Sequence, residues 1–179
     1  MTAAEGFGYP VVLKAAAEGL GHKSDVGGVR LGLTSAEDVR RAYREIRAAV
    51  GGIGALVQPQ RDGGVELLVG VVRDPNWGLV LAVGLGGVWV EVLKDSALRL
   101  LPVDADGVRE ALGELRGAEL LQGARGTEPA DVDAVAETVA HVCALAEGLG
   151  DGLESLEINP LLVRGSRVEA LDALITWRS

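Results

Sequence analysis

Two sets of residues in this chain have the types and spacing to do chemistry. The first is the stretch Gly19-Leu20-Gly21-His22-Lys23-Ser24-Asp25-Val26-Gly27-Gly28, which follows the apolar run Tyr9 to Leu13 and the single lysine that interrupts it, Lys14. Glycines let backbone N–H groups approach an anion closely, and Lys14 and Lys23 add positive charge, so the pattern points to phosphate. An ordinary glycine-rich hairpin with a solvated His-Lys tip is the competing reading of the same residues. The second set is Glu157, Asn159 and Asp172. A two-residue Gly165-Ser166 turn pairs Arg164 with Arg167, and counting outward from that pair sets Asn159 opposite Asp172. Glu157 lies two residues before Asn159 and therefore points to the same face. Three oxygen-bearing side chains on one surface suit a hard cation, whereas exposed polar residues on a half-buried hairpin are the alternative. Pro160 has no N–H to give to a ladder, so regular pairing is expected to end or bend there.

The elements that must position these residues follow from periodicity and punctuation. Residues 1–8 carry no clear element, and the first strand is expected near Tyr9, with a second over Val29 to Leu33. Ser35 is the expected N-cap of a helix with Val39, Tyr43, Ile46 and Val50 on its apolar face, stopped at Gly51-Gly52. The runs Ala55 to Gln58 and Val65 to Val72, separated by Arg61-Asp62-Gly63-Gly64, read as a hairpin. So do Leu79 to Val83 and Val88 to Leu93, across Gly84-Leu85-Gly86-Gly87. Ala97 to Leu101 reads as a short strand and Asp106 to Leu115 as a helix. A longer helix is expected from Asp131 to Glu147, with Val132, Val135, Val139, Val142 and Ala146 inward, His141 at the surface and Cys143 buried. Glu66 interrupts an apolar strand much as Lys14 does; simple outward alternation also accounts for it.

Composition narrows the classes. A chain of 179 residues is one domain or two small lobes, large enough to bury a core without disulfides or metal. No apolar run reaches membrane-spanning length and no basic-then-apolar signal segment opens the chain, so a soluble, cytoplasmic protein with no membrane partner is expected. One cysteine excludes an internal disulfide. A net charge of −9 argues against a broad nucleic-acid surface, and 3% aromatics are too few for base-stacking platforms.

Six blocks in a fixed order carry a more specific signal: residues 8–14 (GYPVVLK), 22–29 (HKSDVGGV), 64–71 (GVELLVGV), 73–78 (RDPNWG), 84–95 (GLGGVWVEVLKD) and 157–161 (EINPL). Together they resemble the ATP-grasp domain of ADP-forming acyl-CoA synthetases and, more distantly, the β subunit of succinyl-CoA synthetase. The resemblance covers nearly the whole chain. It implies an α/β (α+β) ATP-grasp fold of two small lobes, about 8–60 and 61–179, each of mostly antiparallel sheet with packed helices. It also implies a chain truncated at its N-terminus, because the family usually has about one more strand and helix upstream, and one without a CoA-binding domain.

The resemblance assigns roles residue by residue. Lys14 corresponds to the lysine that reaches the nucleotide phosphates, and Gly19, Gly21, Lys23, Gly27 and Gly28 belong to the loop that covers them. Gln58 and Glu66 fall on the adenine and ribose side. Asn159 and Asp172 match Mg²⁺ ligands, with Glu157 beside them, and His22 matches a histidine that accepts a phosphoryl group. The implied activity is acyl-CoA + ADP + phosphate ⇌ carboxylate + ATP + CoA, with ATP or ADP and Mg²⁺ bound here. CoA and a small carboxylic acid would be handled by a partner subunit or fused domain, and the chain alone is not expected to complete turnover. Two other classes compete: a regulatory ATP-grasp-like domain of the kind fused to protein acetyltransferases, and a glycine-rich module that binds no nucleotide. The presence together of Lys14, His22, Glu66, Asn159 and Asp172 favours the catalytic class. A failure of ATP or ADP with Mg²⁺ to raise thermal stability would favour the last.

Overall fold

The computed structural model describes residues 2–16, 23, 26–51, 54–87, 95–123 and 128–178. They fall into two compact units, Met1–Asp62 and Gly63–Ser179.

The first unit contains α1 (Thr2–Phe7), β1 (Val11–Ala16), β2 (Val29–Leu33), α2 (Ala36–Val50) and β3 (Gly54–Pro59). Its strands form an antiparallel sheet in the order β2-β1-β3. Side chains alternate across β1: Val11, Leu13 and Ala15 enter the core with Ala4, Leu33, Val39, Ala42 and Ile46, while Val12 and Lys14 point to the other face. Residues 1–8 therefore do contain an element, contrary to expectation. A six-residue helix has no standing by propensity alone, and burial of Ala4 in this core holds it. Helix α2 starts as expected at Ser35, whose hydroxyl accepts the Asp38 N–H at 3.1 Å. Asp38 reaches back to accept from the Ser35 hydroxyl at 2.9 Å and from the Thr34 N–H at 3.2 Å, a reciprocal cap. Ala42 completes the buried stripe where Tyr43 was expected; Tyr43 is exposed, because positions 39, 42 and 46 keep the helical period.

The second unit contains β4 (Val65–Asp74), β5 (Gly78–Leu85), β6 (Ser96–Leu100), α3 (Ala105–Gly113), α4 (Val132–Gly148), β7 (Leu153–Arg164), β8 (Arg167–Ala170) and β9 (Ala173–Trp177). Its sheet runs β6-β5-β4-β7-β8, with β9 also on β7. One face is packed by α3 and α4, where Val108, Leu112, Val135 and Val139 meet Leu67, Val69, Val71, Leu81 and Val83. Each fully buried leucine or valine contributes about 1.5–3 kcal/mol to this core. His141 is exposed and Cys143 buried, as expected; burial, and secondarily the charge of Glu147, pushes the thiol pKa up to about 11.

Two expectations about pairing change. Strands β3 and β4 are not a hairpin: β3 lies along β1, with Val12 opposite Gln58, while β4 sits between β5 and β7 in the other sheet. The pattern of an apolar strand announces that it needs partners but not which ones. Gln60 secures the exit from β3, donating its N–H to the Pro10 carbonyl and accepting the Gly32 N–H at its side-chain oxygen. The expected strand Val88 to Leu93 lies outside the described residues, and β5 pairs instead with β6, the strand expected over Ala97 to Leu101. At the C-terminus Arg164 pairs with Arg167 as counted from the turn. The return strand divides, however: β8 stops at Ala170 opposite Leu161, and β9 begins at Ala173 opposite Ile158. The break falls at Pro160, which has no N–H for the ladder.

Candidate functional site

In the first unit, Lys14 sits in the central strand, 7% exposed, opposite Val29 on one side and Leu56 on the other. Gln58 lies opposite Val12, two residues back along β1, so Lys14 and Gln58 are diagonal neighbours on the sheet face away from the helices. Beside them the chain enters β2 through a closed turn. The Gly28 N–H donates to the Lys23 carbonyl at 2.7 Å, and the Ala15 N–H donates to the Gly28 carbonyl at 2.7 Å. A Cβ at Gly28 would lie 2.8 Å from the Lys23 oxygen, so only glycine permits this closure. Arg30 braces the same turn from outside, donating to the Gly27 and Val29 carbonyls at 2.8 and 2.9 Å and pairing with Glu45 at 3.0 Å. The structure thus places Lys14 and Gln58 on the neighbouring strands β1 and β3, and Lys23, Gly27 and Gly28 in the turn that leads into β2. Gly19, Gly21 and His22 lie outside the described residues.

In the second unit the candidate residues share the sheet face that α3 and α4 leave uncovered. Glu157 is opposite Gly70 on β4, and Glu66 stands on that face four residues earlier in the same strand. Val72, Leu98 and Leu100 extend the face as exposed apolar residues. Asn159 donates its side-chain N–H to Glu157 at 3.3 Å and its backbone N–H to the Asp172 carbonyl at 3.1 Å. The break between β8 and β9 therefore sets Asp172 beside Asn159. Because the Asn159 amide nitrogen is committed to Glu157, its oxygen is the atom left for a cation. Among the described residues no three His, Cys, Asp or Glu side chains cluster as a metal group. The set here is two carboxylates and an amide, all hard oxygen donors, which suits Mg²⁺ rather than a thiolate- or imidazole-seeking ion.

Two features of these sites were not anticipated from sequence. Arg30 looked like a strand residue of no special role, and only the fold shows it holding the glycine turn. Gly86 and Gly87 read from sequence only as part of a hairpin turn, yet they pack against Glu66. The run of glycines after a strand was the available signal.

Two antiparallel sheets with packed helices define an α+β class of fold, and the chain belongs to the ATP-grasp domain family, whose profile matches residues 1–176. Acetate--CoA ligase [ADP-forming] I of Archaeoglobus fulgidus is 41% identical over 176 residues, covering 94% of this chain and 25% of that protein. The β subunit of acetate--CoA ligase [ADP-forming] II of Pyrococcus furiosus is 34% identical, covering 96% of this chain and 77% of the subunit. Among solved structures, an acetyl-coenzyme A synthetase of Ca. Korarchaeum cryptofilum superposes with a TM-score of 0.82 at 35% identity, covering 99% of this chain and 80% of that one. That structure holds coenzyme A and Mg-AMPPCP, with a phosphohistidine segment pointing towards the nucleotide binding site. This chain thus spans about a quarter of the single-chain ligase and about three quarters of the separate β subunit.

Proposed function

We propose that this chain is the nucleotide-binding, phosphoryl-transferring part of an ADP-forming acyl-CoA synthetase, working with a CoA-binding subunit or domain in the cytoplasm. The observation that carries this reading is the oxygen set at the β8–β9 break, Asn159 and Asp172 with Glu157 holding the Asn159 amide, in a chain that also buries Lys14 beside a closed glycine turn. Phosphoryl transfer is chiefly a matter of positioning and charge neutralisation, and these residues are suited to both. Lys14 takes phosphate oxygens, together with N–H groups of the glycine loop other than that of Gly28, which is committed to the Lys23 carbonyl. Glu66 and Gln58 face the nucleoside. Asn159 and Asp172 would hold Mg²⁺, which neutralises phosphate charge when bound. His22 is the nucleophile: an imidazole nitrogen attacks the γ-phosphorus, the bond from phosphorus to the ADP oxygen breaks, and ADP leaves. In the acyl-CoA-consuming direction the phosphohistidine returns the group to ADP. Glu157 acts by orienting Asn159. CoA and the carboxylic acid bind through the partner.

The test is incubation with γ-labelled ATP and Mg²⁺. Wild type should acquire acid-labile label and His22→Ala should not. Equal label in both would overturn the histidine assignment, and no label in either would favour a regulatory ATP-grasp-like domain.

A further inference from the structure

The β4–β5 ladder pairs Leu67 with Leu85 and then stops, but the two strands do not separate there. Gly86 comes opposite Glu66 and gives its N–H to the Glu66 carbonyl at 2.6 Å. The backbones touch so closely that a Cβ at Gly86 would lie 2.9 Å from the Glu66 carbonyl carbon. Gly87 then turns over the Glu66 side chain in the left-handed region, at φ +63, and a Cβ there would lie 2.6 Å from Glu66 Oε2. No real Cβ tolerates that contact. Either residue 87 stays glycine or the carboxylate moves. Packing against Gly87 therefore limits where that carboxylate can lie.

We propose that Gly87 is a positioning residue for Glu66: the clearance over its missing side chain holds the carboxylate where it can accept hydrogen bonds from the vicinal hydroxyls of a nucleotide ribose, and so sets selectivity for ribonucleotides. The inference rests on the reading above that Glu66 faces the nucleoside. A carboxylate offers two acceptor oxygens, and charge-assisted O–H···O⁻ bonds are short and strong, so a displacement of the order of an ångström weakens both bonds. The blocked atom is the far end of a flexible side chain, which can swing aside. Substitution at 87 therefore moves the carboxylate more than it disturbs the strands, although alanine at positive φ also strains the backbone.

The experiment measures binding of ADP, 2′-deoxy-ADP and 3′-deoxy-ADP to the 179-residue chain by calorimetry with Mg²⁺ present, in wild type, Gly87→Ala, Glu66→Ala and the double variant. Wild type should prefer ADP, and Glu66→Ala should lose that preference. Gly87→Ala should lower it about tenfold, a loss of about 1.4 kcal/mol. In the Glu66→Ala background Gly87→Ala should change the preference no further, because strain alone does not discriminate between sugars. Gly87→Asn, whose side chain tolerates positive φ while carrying the same Cβ, repeats the test if alanine fails to fold. A wild-type preference retained in Gly87→Ala or Gly87→Asn, or an equal loss with and without Glu66, overturns the positioning role. An unchanged preference in Glu66→Ala, or no binding of ADP by wild type, overturns the reading of Glu66 on which it rests.

Discussion

A lysine inside an apolar strand must place its charge somewhere, and Lys14 does so at 7% exposure, on the sheet face that it shares with Gln58 of β3. Holding a cation in so little water costs free energy unless other groups offset it, and on the reading proposed above a nucleotide phosphate is one of them. Asp172 and Asn159 stand in a different relation to the ligand, since they would act through a cation rather than on the nucleotide itself. The two roles separate under one measurement. Lys14→Met should weaken ADP binding about tenfold whether or not Mg²⁺ is present, as expected for the loss of one charge-assisted bond. Asp172→Asn should weaken it only when Mg²⁺ is present. Titration calorimetry of each variant with ADP, in Mg²⁺ and in chelator, checks both outcomes; a Mg²⁺-independent effect at Asp172 would remove it from the metal set.

At the scale of elements, helix α2 shows local chemistry agreeing with tertiary packing. Ser35→Ala removes the acceptor for the Asp38 N–H and should cost about 1 kcal/mol, read as a lowered denaturation midpoint. Bonds from the Ser35 and Thr34 hydroxyls, together with Arg41, hold the Asp38 carboxyl below the ordinary aspartate range. The sign follows: a carboxyl depressed in the folded state stabilises it above the unfolded pKa and loses that contribution as pH falls through the folded one. Acid denaturation of Asp38→Asn should therefore show a shallower loss of stability over that window than wild type. Such caps, like the Gly165-Ser166 turn that aligns Asn159 with Asp172, are legible because cause and effect lie within a few residues. The hairpin wrongly expected between β3 and β4 shows the limit. Val57 and Val65 are close in sequence and similar in character, but β1 competes for β3 with a register running from Val11–Pro59 to Ala16–Gly54, and nothing local announces that competitor. The contact of Gly87 with Glu66 was illegible for the same reason, since it depends on how two strands meet beyond their last ladder pair.

At the scale of the whole molecule, the two units have unequal means of standing alone. Among the described residues the core of Met1–Asp62 is eight buried side chains, five of them alanine or valine, whereas that of Gly63–Ser179 joins a six-stranded sheet to two helices. Small units bury too little surface to offset their chain entropy. A fragment of residues 63–179 should unfold cooperatively on heating and a fragment of residues 1–62 should not; calorimetry of the two decides it, and a sharp transition in the shorter one would refute the account. The larger sheet has one further property. Strand β4 is bound on one side by its sequence neighbour β5, but on the other by β7, which joins Leu67 to Leu161. Closing so long a loop is slow, and contacts of that kind form late in folding. Glu66 arrives with the early hairpin, and Glu157 and Asn159 with the late strand. On the reading proposed above, a refolding chain should regain ADP affinity only in its slowest phase, as β7 docks on β4.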